Sequence, residues 1–415
     1  MTDSLKPRDP KDVEDAVQWA LAAGKALEIV GHGSKRAIGR PAQTDLTLDL
    51  SGLTGVALYE PEELVLSAKA GTPLAEIAAL VAARGQMLAF EPMDYGPILG
   101  GPSDRATIGG TLAANLAGPR RIKAGAARDH FLGFTAVSGR GETFRSGGRV
   151  VKNVTGYDLC KLVAGSWGTL AALTEVTIKV MPRPETEETL LLFGLDARAA
   201  IRTMSEAMNA PCDVSGAAHL TAATARRVAD RAGAEGSLTA LRLEGVPASI
   251  AHRRGVLEAL LRRSGNPVVL DEGRSAALWQ GIRDVSPFAP QQSATERPAT
   301  EGSAADRPLW RISTAPARGA ELGAMLAGAE LLYDWAGGLV WALLPPADDG
   351  GAGAVRRAVA TCGGHATLIR APAAVRAAVD CFEPQAAALA ALTRRVKESF
   401  DPKGVLNPGR MWAGV

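Results

Sequence analysis

The sequence predicts an α+β protein in three parts: a mixed domain over residues 1–184, an α/β domain over 185–380, and a C-terminal helix and tail over 381–415. Strand-like and helix-like apolar periods interleave along the whole chain. Pro182, Arg183 and Pro184 break it where one such series ends. Beyond that break, the order strand, helix, strand, strand, helix, strand can be read twice.

Asp9 and Pro10 read as N-cap and first helical residue, with Val13, Ala16, Val17, Ala20 and Leu21 at helical spacing and Gly24 as terminator. A short buried strand at 26–30 runs straight into Gly31, His32, Gly33, Ser34 and Lys35. A strand at 46–50 alternates cleanly. Another at 64–68 leads to a cap-and-proline start at Thr72 and Pro73, for a helix ending near Gly85. From 91 to 118 the chain is rich in Gly, Pro and small residues, the composition of backbone lying close to a ligand. Strands at 131–138, 142–145 and 172–181 complete the first domain.

In the second domain, strand 188–194, helix 197–209, strands 215–220 and 238–244, helix 248–264 and strand 267–270 follow a split βαβ, ferredoxin-like order. A polar stretch at 287–308 is expected to be a disordered loop. The order then returns as strand 309–313, helix 318–327, strands 330–335 and 338–344, helix 350–362 and strand 365–370. Gly350, Gly351 and Gly353 suggest a nucleotide loop, but Asp348 and Asp349 precede them and would repel phosphate, so a helix start is the better reading. A final amphipathic helix at 384–398 leads into a Gly/Pro-punctuated tail expected to dock on the main body.

The 46 basic and 44 acidic side chains give a formal charge of +2, which provides no overall field for nucleic acid or an anionic membrane. No signal-peptide core and no run of about 18 apolar residues occurs, so a cytosolic chain without a membrane span is expected. Cys160, Cys212, Cys362 and Cys381 are scattered, with no CxxC pair. They read as reduced thiols rather than a disulfide framework, a zinc site or an iron–sulfur site. The sequon at Asn153 carries no meaning in that compartment.

A diphosphate needs convergent N–H donors, and glycine lets backbone approach closely enough to supply them. Two segments offer this. The first is Gly31-His32-Gly33-Ser34-Lys35; the second runs from Ala106 through Thr107, Ile108, Gly109, Gly110 and Ala113 to Asn115. Alone, the first looks like any tight turn, and the second doubles as a closely packed helix start. Their pairing about 75 residues apart, followed by Lys152-Asn153-Val154-Thr155-Gly156-Tyr157-Asp158-Leu159 and by Gly165-Ser166-Trp167-Gly168-Thr169-Leu170, changes the reading. In this order the segments resemble the PCMH-type FAD-binding domain of the vanillyl-alcohol oxidase superfamily, over roughly residues 6–184.

That resemblance implies a two-subdomain FAD-binding domain, a ferredoxin-like cap and a tail, Phe400 to Arg410, that returns to the flavin domain and brings Asn407 to the cofactor. It assigns Gly31, His32, Gly33, Ser34 and Lys35 with Thr107, Ile108, Gly109, Gly110, Ala113 and Asn115 to the pyrophosphate. Gly165, Gly168 and Val176 fall near the adenine ribose end. Some relatives attach FAD through a histidine near this loop; the matching position here is Ser34, so non-covalent FAD is implied. His32 then reads as a turn-capping loop residue, and His130 beside Asp129 as a structural pair. The cluster Arg120, Arg121, Lys123 and Arg128 could counter a diphosphate, face an acidic partner or be a solvated face.

Within the superfamily, the first glycine loop, the 152–159 segment, the Leu309-Trp310-Arg311 strand and the strand after Trp335 are most similar to FAD-binding subunits of bacterial glycolate oxidases. Two departures stand out. Trp167 replaces the glutamate of the usual GSEGTLG string, and His219, His252 and His365 are too far apart for the His-based metal cluster of single-chain 2-hydroxy-acid dehydrogenases. The resemblance implies oxidation of glycolate, or a similar small 2-hydroxy acid, to its oxo acid. It also implies association with a larger FAD-containing subunit and an iron–sulfur subunit, in the cytosol or peripheral to the inner membrane through that complex. Arg311, whose guanidinium suits a carboxylate, is the one catalytic-site candidate. A self-sufficient dehydrogenase and a structural subunit without flavin remain as alternatives.

Overall fold

The computed structural model describes residues 3–149, 156–228, 236–290 and 307–415. The first residues of the 152–159 segment and most of the expected loop at 287–308 lie outside them.

Two small sheets and a two-stranded pairing of Gln86–Met87 with Met181–Pro182 make the N-terminal half. The first is parallel, in the order Asp3–Leu5, Leu46–Asp49, Leu27–Val30. Helix Pro10–Ala23 covers it, started by Asp9, whose carboxylate accepts from the Asp12 amide at 2.9 Å, and ended by left-handed Gly24. Val13, Val17 and Ala20 bury the predicted stripe against Leu27 and Leu48. The second sheet has five antiparallel strands in the order Val56–Glu60, Val65–Lys69, Ala171–Lys179, Phe131–Ser138, Thr143–Gly147. Thr72 does not cap the next helix, Leu74–Ala82; Pro73 holds the cap position, and the Thr72 hydroxyl donates to Lys69 O at 2.7 Å.

The cap is one antiparallel sheet of eight strands: Val268–Leu270, Thr186–Phe193, Leu238–Gly245, Gly216–Leu220, Glu330–Asp334, Leu339–Leu343, Leu309–Ser313, His365–Arg370. Numbered within each half, the strands lie 4-1-3-2 and then 2-3-1-4. The two ferredoxin-like units therefore join edge to edge through their second strands, with His219 opposite Tyr333 and Leu220 opposite Leu332. Helices Ala197–Asn209, Pro247–Leu261 and Ala352–Cys362 bury Met204, Leu257 and Val355 on one face, against Leu190, Leu243, Trp310 and Ile312. Leu191, Leu309, Leu339 and Trp341 point from the other face into Met93, Tyr95, Ile98 and Leu116 of the N-terminal half. Coverage on both faces explains why these strands read as nearly continuous apolar runs. Much of the glycine-rich 91–118 stretch thus supports the cap, and only its later part turns towards a cleft.

The C-terminal helix, Ala387–Phe400, hands the chain to a tail that pairs parallel with the open edge of Leu27–Val30. Leu27 N donates to Val405 O at 2.7 Å, and Asn407 N to Leu27 O at 2.9 Å.

Candidate cofactor site

A cleft opens between the three-stranded and five-stranded sheets. Residues 31–36 and Leu50 form one wall, Ala70, Thr107, Gly109, Gly110, Ala113 and Ala114 the other, and Trp167, Gly168, Leu173 and Arg410 close it. The first wall follows from the sequence: strand Leu27–Val30 ends where glycine begins, and left-handed Gly33 turns the backbone sharply. The amides of His32, Gly33, Ser34 and Lys35 have no protein acceptor among the described residues. Consecutive unsatisfied amides around a left-handed residue make an anion-binding concavity.

Glycine also sets how closely the walls approach. A Cβ on Gly31 would lie 2.6 Å from Thr107 Oγ1, and one on Gly109 would lie 2.7 Å from Ala70 Cβ. Thr107 caps helix Ile108–Ala113 by accepting from Gly110 N at 3.3 Å, while the Ile108 and Gly109 amides donate to Thr72 O and Ala70 O. The second segment therefore acts mainly by shape.

Two cations reach the cleft without a carboxylate partner among the described residues. Lys35 is 9 % exposed, and among the described residues its ammonium bonds only to the Ser34 hydroxyl, at 3.2 Å. Burial pulls its pKa down to about 8, with Asp94 opposing and Arg410 adding to the fall. Arg410, 7 % exposed, donates to Lys35 O at 2.9 Å and leaves its Nε without a partner. Burial lowers it to about 10. His32 Nδ1 is a further buried nitrogen without a partner, and its imidazole is kept neutral by burial and then by Arg105. Free amides, two uncompensated cations and a glycine-lined approach fit a dinucleotide's diphosphate.

The tail fixes the cleft's back. Buried Asn407 accepts from Ile29 N at 2.8 Å and donates to Trp167 O at 2.8 Å. Lys397 donates to Asp401, Leu406 O and Thr169 O, while Asp401 accepts from the Val405 and Leu406 amides. Motif reading singled out Asn407 and passed over Arg410, whose signal is its place directly after the Asn-Pro-Gly turn.

Of the residues assigned from sequence, Gly31, His32, Gly33, Ser34, Lys35, Thr107, Gly109, Gly110, Ala113 and Gly168 line the cleft. Ile108 and Val176 are buried in the core of the five-stranded sheet. Left-handed Asn115 accepts from Arg128 N at 3.0 Å, with left-handed Gly165 against it. The basic cluster serves the fold: Arg120 pairs with Glu244 at 2.7 Å, Lys123 pairs with Asp213, and Arg121 stacks on Trp335 with its guanidinium carbon 4.4 Å from the ring centroid. Arg311 is outside the cleft, on the cap face towards Tyr95, 5.1 Å from the Trp335 ring and without an ion pair among the described residues.

Fold and cleft together define an FAD-linked oxidoreductase of the PCMH type. A family model for the FAD binding domain matches residues 4–147, and one for the C-terminal domain of FAD linked oxidases matches residues 383–411. Glycolate oxidase subunit GlcE of Escherichia coli is 34 % identical over 400 residues, 96 % of each chain, and the chain belongs to that family of FAD-binding proteins. Glycolate oxidase subunit GlcD of Bacillus subtilis is 33 % identical over 168 residues, 40 % of this chain and 34 % of that one. Among solved structures, p-cresol methylhydroxylase superposes with a TM-score of 0.67 at 12 % identity, over 99 % of this chain and 88 % of the other, which shows the shared fold.

Proposed function

We propose that the chain is the FAD-binding subunit of a glycolate oxidase complex that oxidises glycolate to glyoxylate and passes electrons to an iron–sulfur partner. The observation that carries this reading is the end-to-end likeness to GlcE. FAD is held non-covalently, its diphosphate against residues 31–35 with Lys35 and Arg410 as counter-charges. Bound FAD supplies a two-electron acceptor for hydride from the alcohol carbon.

The chain's own residues suit a small carboxylate at the cap interface. Arg311 presents a planar fork that matches a carboxylate bidentately. It is half-buried and has no ion pair among the described residues, with Asp334 the acid that acts on it from further off, and Arg121 places a second guanidinium on the same indole. His365, exposed at the start of its strand, has its pKa lowered by loss of solvation and then by Arg311. These groups favour one alternative, a chain that oxidises the hydroxy acid by itself. Among the described residues no His, Cys, Asp or Glu group could hold a metal, and no helix is long and apolar enough to cross a membrane.

The test is the visible spectrum of the purified chain under anaerobic glycolate. Flavin bands that persist until the larger FAD subunit and the iron–sulfur subunit are added support the subunit reading. Bleaching in the isolated chain promotes the self-sufficient dehydrogenase, and a colourless protein after FAD addition favours a structural subunit. In whichever preparation bleaches, Arg311→Lys should slow the bleaching at least about tenfold, the worth of a charge-assisted pair.

A further inference from the structure

Among the described residues Trp167 is the one aromatic residue on the cleft wall apart from His32, and its backbone is strained: φ is +53°, the left-handed region that a bulky side chain seldom adopts. Both its peptide groups are tied down, N donating to Ala113 O at 2.9 Å and O accepting from Asn407 Nδ2. The ring is braced edge-on by Phe382 at 5.6 Å, with the Arg410 guanidinium carbon 5.6 Å from its centroid. The indoles of Trp279, Trp310, Trp335 and Trp412 donate their N–H to protein oxygens. Those of Trp19, Trp341 and Trp167 have no acceptor among the described residues, and of these three only Trp167 lines the cleft.

A tryptophan forced left-handed, clamped by helix end and tail, and left with a free donor and a half-buried ring in the cleft lacks only a planar partner. We propose that Trp167 is a cofactor-contacting residue whose indole packs against a planar ring of bound FAD. The left-handed backbone aims the ring, and Asn407 and Phe382 hold it there. FAD carries two such rings, adenine and isoalloxazine, and either satisfies the same chemistry. The inference requires FAD binding alone, so inactivity towards glycolate leaves it standing.

The test uses the full chain freed of flavin and labelled with 5-fluorotryptophan, the Trp167 ¹⁹F resonance being identified by its loss in Trp167→Phe. Saturating FAD should move that resonance by ring current. The same shift with FMN and none with ADP places the isoalloxazine on the indole; the converse places adenine there. No movement with saturating FAD overturns the proposal. In parallel, Trp167→Leu should weaken FAD binding about tenfold or more and Trp167→Phe by less than about threefold. A folded Trp167→Leu protein with unchanged FAD affinity would equally sink it. Should that variant fail to fold, the resonance in the labelled parent still decides.

Discussion

Lys35 stands in the cleft as a cation that folding has stripped of water and given a single hydroxyl in return. Its pKa of about 8 lies below the usual lysine range, so the unfolded chain binds its proton more tightly than the folded chain does. Stability of the flavin-free protein should therefore rise with pH from about 8 to about 10.5, by at most about 3 kcal/mol from this residue. Lys35→Met should remove that slope, stabilise the flavin-free protein near pH 7 and weaken FAD binding at least about tenfold, since a charge-assisted phosphate contact is lost. Urea denaturation of both proteins at pH 7 and 9.5, with an FAD titration, checks all three. An unchanged pH slope would mean that the ammonium finds solvation in the flavin-free cleft.

At the scale of elements, the tail works as an added strand whose side chains carry a second set of bonds. Asn407 is fully buried and left-handed, φ +43°, and its amide bridges the strand that feeds the glycine loop to the turn that carries Trp167. Asn407→Ala would leave Ile29 N and Trp167 O without their partner at the back of the cleft, a cost of about 2–4 kcal/mol. FAD affinity should fall with stability, because the loop's anchor is the missing group. Asn407→Asp keeps the acceptor for Ile29 but turns a carboxylate oxygen on Trp167 O in a fully buried position. Near pH 7 it should therefore lose at least as much as Asn407→Ala and recover in acid as it protonates, which guanidinium melts of the two variants would resolve. The tail was legible in sequence because Gly, Pro and Asn mark unusual backbone locally. Helix Glu272–Arg283 was not: Gly273 and Gly281 dilute its pattern, and only the Asp271 cap announces it. Strand Val56–Glu60 also escaped, being short and directly followed by Pro61.

Across the whole molecule, cap and flavin domain are joined by an apolar face with a charged latch set in it. Glu91 receives both arms of Arg242, at 2.9 and 3.0 Å, and Arg242 lies 1 % exposed over the Trp279 ring. Arg120 closes the circuit, its side chain on Glu244 and its amide on Glu91. None of this could be read along the chain, because Glu91 and Arg242 are 151 residues apart and a basic run such as 120–128 does not say which acid each member meets. The glycine segments were readable for the opposite reason: close backbone approach imposes its composition locally, wherever the partner lies. Burial alone would raise the Glu91 pKa, but the charges of Arg242 and Arg120 and their hydrogen bonds hold it at about 2. A depressed carboxylate contributes stability that is fully present above its unfolded pKa of about 4.5 and is lost as pH falls towards 2. Calorimetric melting of the parent should therefore steepen its loss of Tm between pH 4.5 and 3. Glu91→Gln should start about 3–5 kcal/mol less stable at pH 7, because it leaves Arg242 a buried charge with a weaker partner, and should lose less over the acid window. Parallel acid curves for the two proteins would show that the latch titrates as exposed carboxylates do, and that the apolar face alone holds the cap over the flavin domain.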